Sequence, residues 1–218
     1  MFTGIVEEIG VISSIVRKGV SCRFVISLKK QFKDILKGES IAVNGVCLTV
    51  VEIGRNGFAA DISEETLKTS TLSRFKIGQK VNLERALALN SRLGGHMMTG
   101  HIDGVSEIVD KIARGNGYEL FFKVPAKLNK HIVPKGSVAL DGISLTVANI
   151  FKEGFSVMII PHTAQYTTLS QNQIGDKVNL EVDILSKYIE GLLKGENESP
   201  TEKMFIDSGF LPIGIVDN

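Results

Sequence analysis

Two short polar motifs lie within apolar, β-branched stretches of the chain that have the character of β-strands. They are Cys47-Leu48-Thr49 and Ser144-Leu145-Thr146. Because successive side chains of a strand point to opposite faces, the first and third residues of each motif share one face. If that face lines a β-barrel, its hydroxyl and thiol groups need hydrogen-bond partners, which a bound ligand can supply. The alternative is that these small residues only fill a tapering barrel end.

A glycine-rich segment, residues 94–104, carries two of the four histidines, His96 and His101. A metal site would need a third ligand and a firm backbone, which this segment does not offer, so we expect no bound metal. Glycines also let backbone groups come close to a planar ligand, and we favour that interpretation. A Ser-His-acid triad is disfavoured, because no glycine-flanked turn surrounds Ser144.

The chain contains the same unit twice. Residues 77–84 read IGQKVNLE and residues 174–181 read IGDKVNLE, and the two polar motifs align at the same offset of 97. Such dense matches in fixed order indicate two copies of a domain-sized unit, which offer two similar pockets for two similar molecules. The copies differ where His101 replaces Ile5 and where Asp183 stands opposite Arg85–Ala86. We therefore expect the two pockets to have different tasks.

Each copy shows period-two hydrophobic segments separated by glycines, which predicts six short strands and a small closed antiparallel barrel. Tight turns are expected at Asn44-Gly45 and Asp141-Gly142. Short helices are predicted at 30–37 and 127–133, and another begins with Ser63 as its N-cap. The predicted strands are 5–16, 23–28, 40–44, 46–53, 58–62 and 80–85 in the first copy, and 102–112, 119–124, 137–140, 143–151, 155–160 and 177–183 in the second.

The C-terminal part has helical periodicity and no counterpart in the first copy. Its apolar stripe consists of Ile184, Leu185, Tyr188, Ile189, Leu192 and Leu193. A second helix is predicted near 200–208. The stripe must be covered either by the barrels of the same chain or by copies of itself in an oligomer, and we favour the oligomer. The expected domains are a first barrel at 1–96, a second barrel at 97–185 and a helical oligomerisation segment at 186–218.

Composition excludes several other classes of protein. A net charge of +1 with scattered lysines argues against nucleic acid or an anionic membrane as the partner. No apolar run approaches the roughly 20 residues of a membrane span, and the N-terminus does not have the pattern of a signal peptide. Cys22 and Cys47 lack metal-ligand spacing and are expected to be buried free thiols. These features predict a cytoplasmic protein.

Taken together, the motifs resemble riboflavin synthase of the α-subunit type, which is built from two lumazine-binding repeats. The resemblance rests on residues 1–7, 44–50, 94–104 and 141–147, and it covers essentially the whole chain. It implies an all-β protein with two tandem six-stranded antiparallel Greek-key barrels, plus a C-terminal helix that holds a homotrimer together. An association with lumazine synthase is left open.

The resemblance also implies a reaction, a dismutation of two 6,7-dimethyl-8-ribityllumazine molecules. One lumazine gives a four-carbon unit to the other, which yields riboflavin and 5-amino-6-ribitylamino-2,4-pyrimidinedione. No redox cofactor or metal is needed. The residues do not indicate which pocket holds the donor and which the acceptor.

The site residues are carried over by position. We expect His101 to transfer protons, Ser144 and Thr146 to position or activate one lumazine, and Cys47 to line the partner pocket. Asp183 is expected to hold ribityl hydroxyls or to assist proton transfer, while Lys135 reaches in from another subunit and Phe2 covers a ring. The substrate-contacting set is Phe2, Gly4, Ile5, Val6, Cys47, Leu48, Thr49, Asp61, Ile62, Ser63, Glu64, Glu65, Thr66, Gly100, His101, Ile102, Lys135, Ser144, Leu145, Thr146, Met158, Ile159, Ile160, Pro161, His162 and Thr163.

Two other functions compete with this one. Lumazine- or flavin-binding fluorescent antenna proteins keep the barrels but lose turnover, and they typically degrade the connector histidine or the Ser-Leu-Thr motif, both of which are intact here. A nucleic-acid-binding barrel would need basic and aromatic residues on one face. An aromatic content of 6% and a balanced charge disfavour it.

Overall fold

The structure, a computed structural model, describes residues 1–29, 32 and 34–195. The chain divides into two compact units, one from Met1 to Asp183 and one that begins at Ile184. The first unit contains two closed, six-stranded antiparallel barrels, which confirms the predicted all-β class. No helix among the described residues has the length and apolar character that crossing a membrane requires.

The first barrel is formed by strands of the first copy. They are β1 (Glu8–Lys18), β2 (Ser21–Ser27), β3 (Ser40–Val43), β4 (Val46–Gly54), β5 (Gly57–Ile62) and β6 (Lys80–Arg85). Around the barrel they follow the order β1-β2-β5-β4-β3-β6, and β6 closes the barrel on β1. Because β3, β4 and β5 are consecutive hairpins and β2 lies beside β5, the connections form a Greek key.

The second barrel repeats this topology. Its strands are β7 (Gly104–Arg114), β8 (Gly117–Lys123), β9 (Ser137–Leu140), β10 (Ile143–Phe151), β11 (Gly154–Ile159) and β12 (Lys177–Val182). Their order is β10-β11-β8-β7-β12-β9. Subtracting six from each number gives β4-β5-β2-β1-β6-β3, which is the closed ring of the first barrel read from β4 in the opposite direction. The duplication seen in the sequence is therefore a duplication of the whole barrel.

Alternate residues of the strands point inward and fill each barrel with large apolar side chains. Burial of one such side chain stabilises the fold by about 2 to 3 kcal/mol. Several of these large side chains are at most 1% exposed, among them Phe24, Phe58 and Leu83 in the first barrel, and Phe122, Phe155 and Leu180 in the second.

The two barrels meet at their predicted tight turns. Asn44 and Asp141 both have φ of 45°, and the glycine after each also has a positive φ, as type I′ hairpins require. Asn82 donates from its side-chain amide to the Asp141 carbonyl oxygen at 2.9 Å, and Asn179 donates to the Asn44 carbonyl oxygen at 2.9 Å. A symmetric pair of asparagines thus joins each barrel to the turn of the other.

Short helices follow the fifth strand of each barrel, α1 (Glu64–Thr69) and α2 (Pro161–Tyr166). The predicted N-cap is confirmed, because the Ser63 hydroxyl accepts from the Thr66 backbone N–H at 3.1 Å. The helix predicted at 127–133 is a 3-10 helix, Ala126–His131. Residues 30, 31 and 33 of the other predicted helix lie outside the described residues, and 34–37 are not helical.

The second unit begins with α3 (Ile184–Gly195), which confirms the predicted helix. Its apolar stripe is more than half exposed at Leu185, Tyr188, Ile189, Leu192 and Leu193. The helix predicted near 200–208 lies outside the described residues.

Candidate functional site

The two polar motifs lie on the outer surfaces of the barrels. Cys47 and Ser144 are half-buried, while Thr49 and Thr146 are exposed. The prediction that the first and third residues of each motif share a face is confirmed. The expectation that this face lines the barrel is wrong, because the alternating valines and leucines of β4 and β10 occupy the interior. Cys47 is accordingly half-buried rather than buried, although both cysteines are free thiols as expected.

Each motif is contacted by a segment that belongs to the other copy. The Cys47 backbone N–H donates to the Gly100 carbonyl oxygen, and the Ser144 N–H donates to the Gly4 carbonyl oxygen, both at 2.9 Å. Residues 4–6 therefore lie against the second barrel and residues 100–102 against the first. Val6 packs on the second core and Ile102 on the first, which fixes this crossing.

Buried glutamates hold both crossing segments in place. Glu84 accepts from the backbone N–H and the hydroxyl of Thr3, each at 2.6 Å, and Glu181 accepts from the same two groups of Thr99, each at 2.7 Å. Burial raises the pKa of the Glu84 carboxyl, while the hydrogen bonds from Thr3 and the next N–H oppose this rise. The two glutamates are the last residues of the repeated IGxKVNLE segments. The sequence therefore identified them as part of the repeat but did not indicate their hydrogen bonds to the crossing segments.

We call the residues grouped around the Cys47 motif the first surface and those around the Ser144 motif the second surface. Val50 is the cross-strand partner of Ala60, and Val147 is that of Val157, and all four side chains are buried. Because successive residues of a strand alternate in direction, the residues next to each pair point to the outer face of the barrel. The first surface consists of Cys47, Thr49, Asp61, residues 63–66 and residues 100–102. The second surface consists of Ser144, Thr146, Met158, residues 160–163 and residues 4–6.

The two surfaces differ in charge. In the first, Asp61 is held by Arg23 through two hydrogen bonds of 2.6 and 2.8 Å, which lower the pKa of the Asp61 carboxyl. This carboxylate is therefore a poor base. The second surface has Met158 at the equivalent place, and Pro161-His162 where the first has Glu64-Glu65. The two barrels thus offer a ligand different chemistry on the same backbone frame.

A histidine and a serine form a pair at the second surface. His96 Nδ1 lies 2.7 Å from Ser144 Oγ, and the imidazole is 7% exposed. Burial lowers the pKa of His96, and the charge of Asp183 opposes this only in part. The ring is therefore neutral near pH 7, and Nδ1 can accept the Ser144 hydroxyl proton. In the described part of the chain, His96 Nε2 has no hydrogen-bond partner.

Sequence reasoning assigned proton transfer to the other histidine of the connector, His101, and that role stays a prediction. His101 is exposed and precedes β7, which begins at Gly104 rather than at the predicted residue 102. His96 was missed because it has no counterpart in the first copy, so the repeat comparison gave it no weight. The signal that could have found it was the presence of two histidines in one glycine-rich segment.

Several predicted contact residues point away from the surfaces. Phe2, expected to cover a substrate ring, is fully buried against Met98 between the barrels and is not available to a ligand in this arrangement. Buried side chains also include Leu48, Ile62, Leu145 and Ile159. These four can contribute only backbone groups to a bound ligand.

Gly95 lets two parts of the protein pack closely together, which is a different role from letting a ligand come close to the backbone. A Cβ atom at this position would lie 2.1 Å from the Thr3 carbonyl oxygen and 2.8 Å from Ser144 Cβ. We expect Gly95→Ala to lower the free energy of unfolding by about 1 to 3 kcal/mol, because backbone must shift. Urea unfolding measures this, with Gly94→Ala as the control, since its Cβ would meet only the Ile5 side chain at 3.4 Å. Equal stability of the two variants would contradict the expectation.

Lys135, predicted to reach a ligand, is exposed and has a φ of 64°. Its first-copy counterpart is Gly38, with a φ of 91°. The Lys135 backbone N–H donates to the Val147 carbonyl oxygen in β10, and the Gly38 N–H donates to the equivalent Val50 carbonyl oxygen in β4. Since a left-handed backbone is strained for lysine, we expect Lys135→Gly to raise the free energy of unfolding by up to about 1 kcal/mol. The reverse variant, Gly38→Lys, should lose a similar amount in the same urea titration. A loss in both variants would show that the lysine side chain stabilises the turn.

Comparison with known proteins agrees with this geometry. The family model of the lumazine binding domain matches residues 3–86 and again residues 99–183. Riboflavin synthase of Actinobacillus pleuropneumoniae is 46% identical over 95% of this chain and 97% of its own length. Riboflavin synthase of Bacillus subtilis is 41% identical, over 93% of this chain and 94% of its own length.

A solved structure is similar as well. The crystal structure of LumP complexed with 6,7-dimethyl-8-(1'-D-ribityl)lumazine matches with a TM-score of 0.76 and 27% identity, covering 84% of this chain and 99% of LumP. The paired barrels, the two repeats matched by one domain family and the full-length relatives lead to one assignment. The chain belongs to the riboflavin synthase family of enzymes, which carry two lumazine-binding domains.

Proposed function

We propose that this enzyme converts two molecules of 6,7-dimethyl-8-ribityllumazine into riboflavin and 5-amino-6-ribitylamino-2,4-pyrimidinedione. Two related surfaces with different polar groups suit two identical molecules that play different parts. The relatives named riboflavin synthase and the lumazine held by LumP support the choice of ligand. The single observation that carries the proposal is the His96–Ser144 pair, which is present at one surface only.

The chemistry needs a proton acceptor beside one lumazine. The C7 methyl group of the lumazine is acidic, because its anion delocalises into the ring. Neutral His96 accepts a proton through Nδ1, so Ser144 becomes a stronger base or nucleophile toward the lumazine on the second surface. Thr146 is exposed beside it and positions the ring, and Asp183 favours the imidazolium form once the proton has arrived. Bringing the two rings together contributes the remaining rate enhancement.

We further propose that the first surface of one chain faces the second surface of another copy in a homotrimer. Both surfaces are open, and Thr49, Thr146, Met158 and His162 are all exposed. A closed site that excludes water therefore needs a second barrel over each of them. The exposed apolar stripe of α3 is the element we assign to trimer assembly.

Complementation tests this arrangement. Thr49→Arg blocks the first surface and Thr146→Arg blocks the second, and both positions are exposed enough to accept arginine without unfolding. Each variant alone should be inactive, whereas co-expressed chains should regain riboflavin formation, because some interfaces combine two intact surfaces. Continued inactivity of folded, mixed trimers would place the whole site within one chain.

The activity itself is tested with purified protein and 6,7-dimethyl-8-ribityllumazine as the only added compound, with products separated by chromatography. Riboflavin and the pyrimidinedione should form in equal amounts. The similarity to LumP favours one other candidate, a lumazine- or flavin-binding protein without turnover. Fluorescent binding of the lumazine with no product would establish that alternative, and the absence of both binding and product would contradict both functions.

A further inference from the structure

A cleft of about 550 Å³ lies where the two barrels meet, separate from both surfaces. The cleft has the twofold character of the duplication, because residues from one copy face their counterparts from the other. The counterpart pairs are Asn44 and Asp141, Thr71 and Thr168, Arg74 and Gln171, and Lys80 and Lys177. The volume falls within the range of small-molecule sites, roughly 300 to 1,000 Å³.

Two threonines form part of the floor of this cleft. Thr71 is 4% exposed and Thr168 is 6% exposed, and neither hydroxyl has a hydrogen-bond partner among the residues that the structure describes. Their backbone N–H groups donate to the side chains of Asn179 and Asn82 at 2.7 and 2.8 Å, which fixes both residues at the barrel junction. Protein atoms cover both hydroxyl oxygens, and a buried hydroxyl without a hydrogen-bond partner is costly. A rotation about χ1 that turns each hydroxyl toward a polar molecule in the cleft would remove this cost.

The rim of the cleft carries cations. Arg74 and Lys80 are exposed and form no ion pair within the described ranges, whereas Lys177 lies 3.5 Å from Glu107. Asp176 also lines the cleft, and its carboxylate accepts from the Gln173 backbone N–H at 2.7 Å. The rim therefore has two positive charges on the first-copy side that no carboxylate of the described residues pairs with.

The floor adds one more acidic group, the buried carboxyl of Asp141. Its Oδ1 accepts from the Asn179 backbone N–H at 2.8 Å, and the opposite position in the first copy is the neutral amide of Asn44. The charge of the site is thus positive at the rim beside Arg74 and Lys80, and the floor offers hydroxyl, amide and carboxyl groups.

We propose that this cleft binds a small phosphorylated polyol, whose phosphate contacts Arg74 and Lys80 and whose hydroxyls contact Thr71, Thr168 and Asn44. Charge-assisted hydrogen bonds from arginine and lysine suit phosphate oxygens. A polar floor of hydroxyl and amide groups suits a polyol, and the cleft is far larger than a phosphate ion alone would need. The site contains no residue of the first or second surface, so it goes beyond the proposed function.

Calorimetric titration of the full chain with sorbitol 6-phosphate tests the proposal, with sorbitol and inorganic phosphate as comparison ligands. Sorbitol 6-phosphate should bind most tightly, inorganic phosphate more weakly, and sorbitol not measurably. The double variant Arg74→Gln, Lys80→Gln should weaken binding of the phosphorylated ligand at least about tenfold, since each charged contact contributes roughly that factor. Gln171 already occupies the second-copy counterpart of Arg74, so the fold accepts this change.

A control variant distinguishes the loss of a contact in the cleft from a general effect of lowering the positive charge of the protein. Lys152→Gln removes an exposed lysine away from the cleft and should leave affinity unchanged. Thr71→Val, Thr168→Val should weaken the phosphorylated polyol while affecting inorganic phosphate less. Equal affinity in the wild type and the Arg74, Lys80 double variant, displacement by the lumazine, or no binding to folded protein would each overturn the proposal.

Discussion

Replacing Ser144 by alanine is expected to lower the rate of riboflavin formation by at least about 100-fold, because a positioned acid–base group contributes roughly 10² to 10⁴ in rate. Ser144 is half-buried and its hydroxyl lies 2.7 Å from His96 Nδ1, so the change removes a reacting group with little loss of packing. Affinity for the lumazine, measured by its fluorescence, should change little. A large loss of rate with little change in affinity would show that Ser144 acts in the chemical step rather than in binding the lumazine.

His96→Gln should give a similar loss and should also change the pH profile. The pKa of His96 lies below its ordinary value of 6.5, so the wild-type rate should fall with acid only below that pH, as the ring becomes protonated and cannot accept from Ser144. This acid limb should disappear in His96→Gln. The matched control is Cys47→Ser, which gives the first surface the hydroxyl of the second but no histidine, and it should retain most activity. Full turnover in Ser144→Ala would rule out the pair as the reacting group.

Replacing Asp141 by asparagine is expected to stabilise the protein strongly above pH 7. Burial raises the pKa of the Asp141 carboxyl from 3.8 to about 7. Because the folded state holds the proton more tightly, wild-type stability is complete below about pH 4 and is lost as pH rises through about 7. At roughly 1.4 kcal/mol for each pKa unit, the loss approaches about 4 kcal/mol above pH 7.

Asn44 shows that the turn accepts the amide. It occupies the counterpart position with the same φ of 45°, and its side-chain oxygen accepts from the Asn82 backbone N–H at 2.7 Å, as the Asp141 carboxyl does from Asn179. Urea unfolding between pH 4 and 8 should therefore be steeply pH-dependent in the wild type and much less so in Asp141→Asn, where the shifted pKa values of Glu84 and His96 still contribute. The reverse variant, Asn44→Asp, should add a second loss over the same pH range. A wild-type stability that is constant from pH 4 to 8 would contradict the expectation.

The barrels could be predicted from the sequence because the evidence for them is local. Alternating apolar residues, turn glycines and the Asn44-Gly45 and Asp141-Gly142 pairs each specify a strand or a hairpin within a few residues. The repeat then supplied a second, independent copy of the same pattern. The N-cap at Ser63 was found for the same reason, since its partner is only three residues away.

The site depends on contacts that the sequence does not show. His96 and Ser144 are 48 positions apart, and only the crossing of the connector brings them together. Alternation showed that Cys47 shares a face with Thr49 but could not show which face turns inward, since that depends on the whole set of core side chains. Phe2 carries no local pattern at all, and its burial follows from its bridge to Met98.

The crossing of residues 4–6 and 100–102 has a consequence for the origin of the molecule. A chain with a single copy would leave its Cys47-like strand without the neighbour that Gly100 provides here. Two such chains would satisfy each other by exchanging their N-terminal arms, which is a domain-swapped dimer. The duplicated protein has the architecture of that dimer fused into one polypeptide, in which the two arms can differ in sequence, and His96 lies beside the arm of residues 4–6.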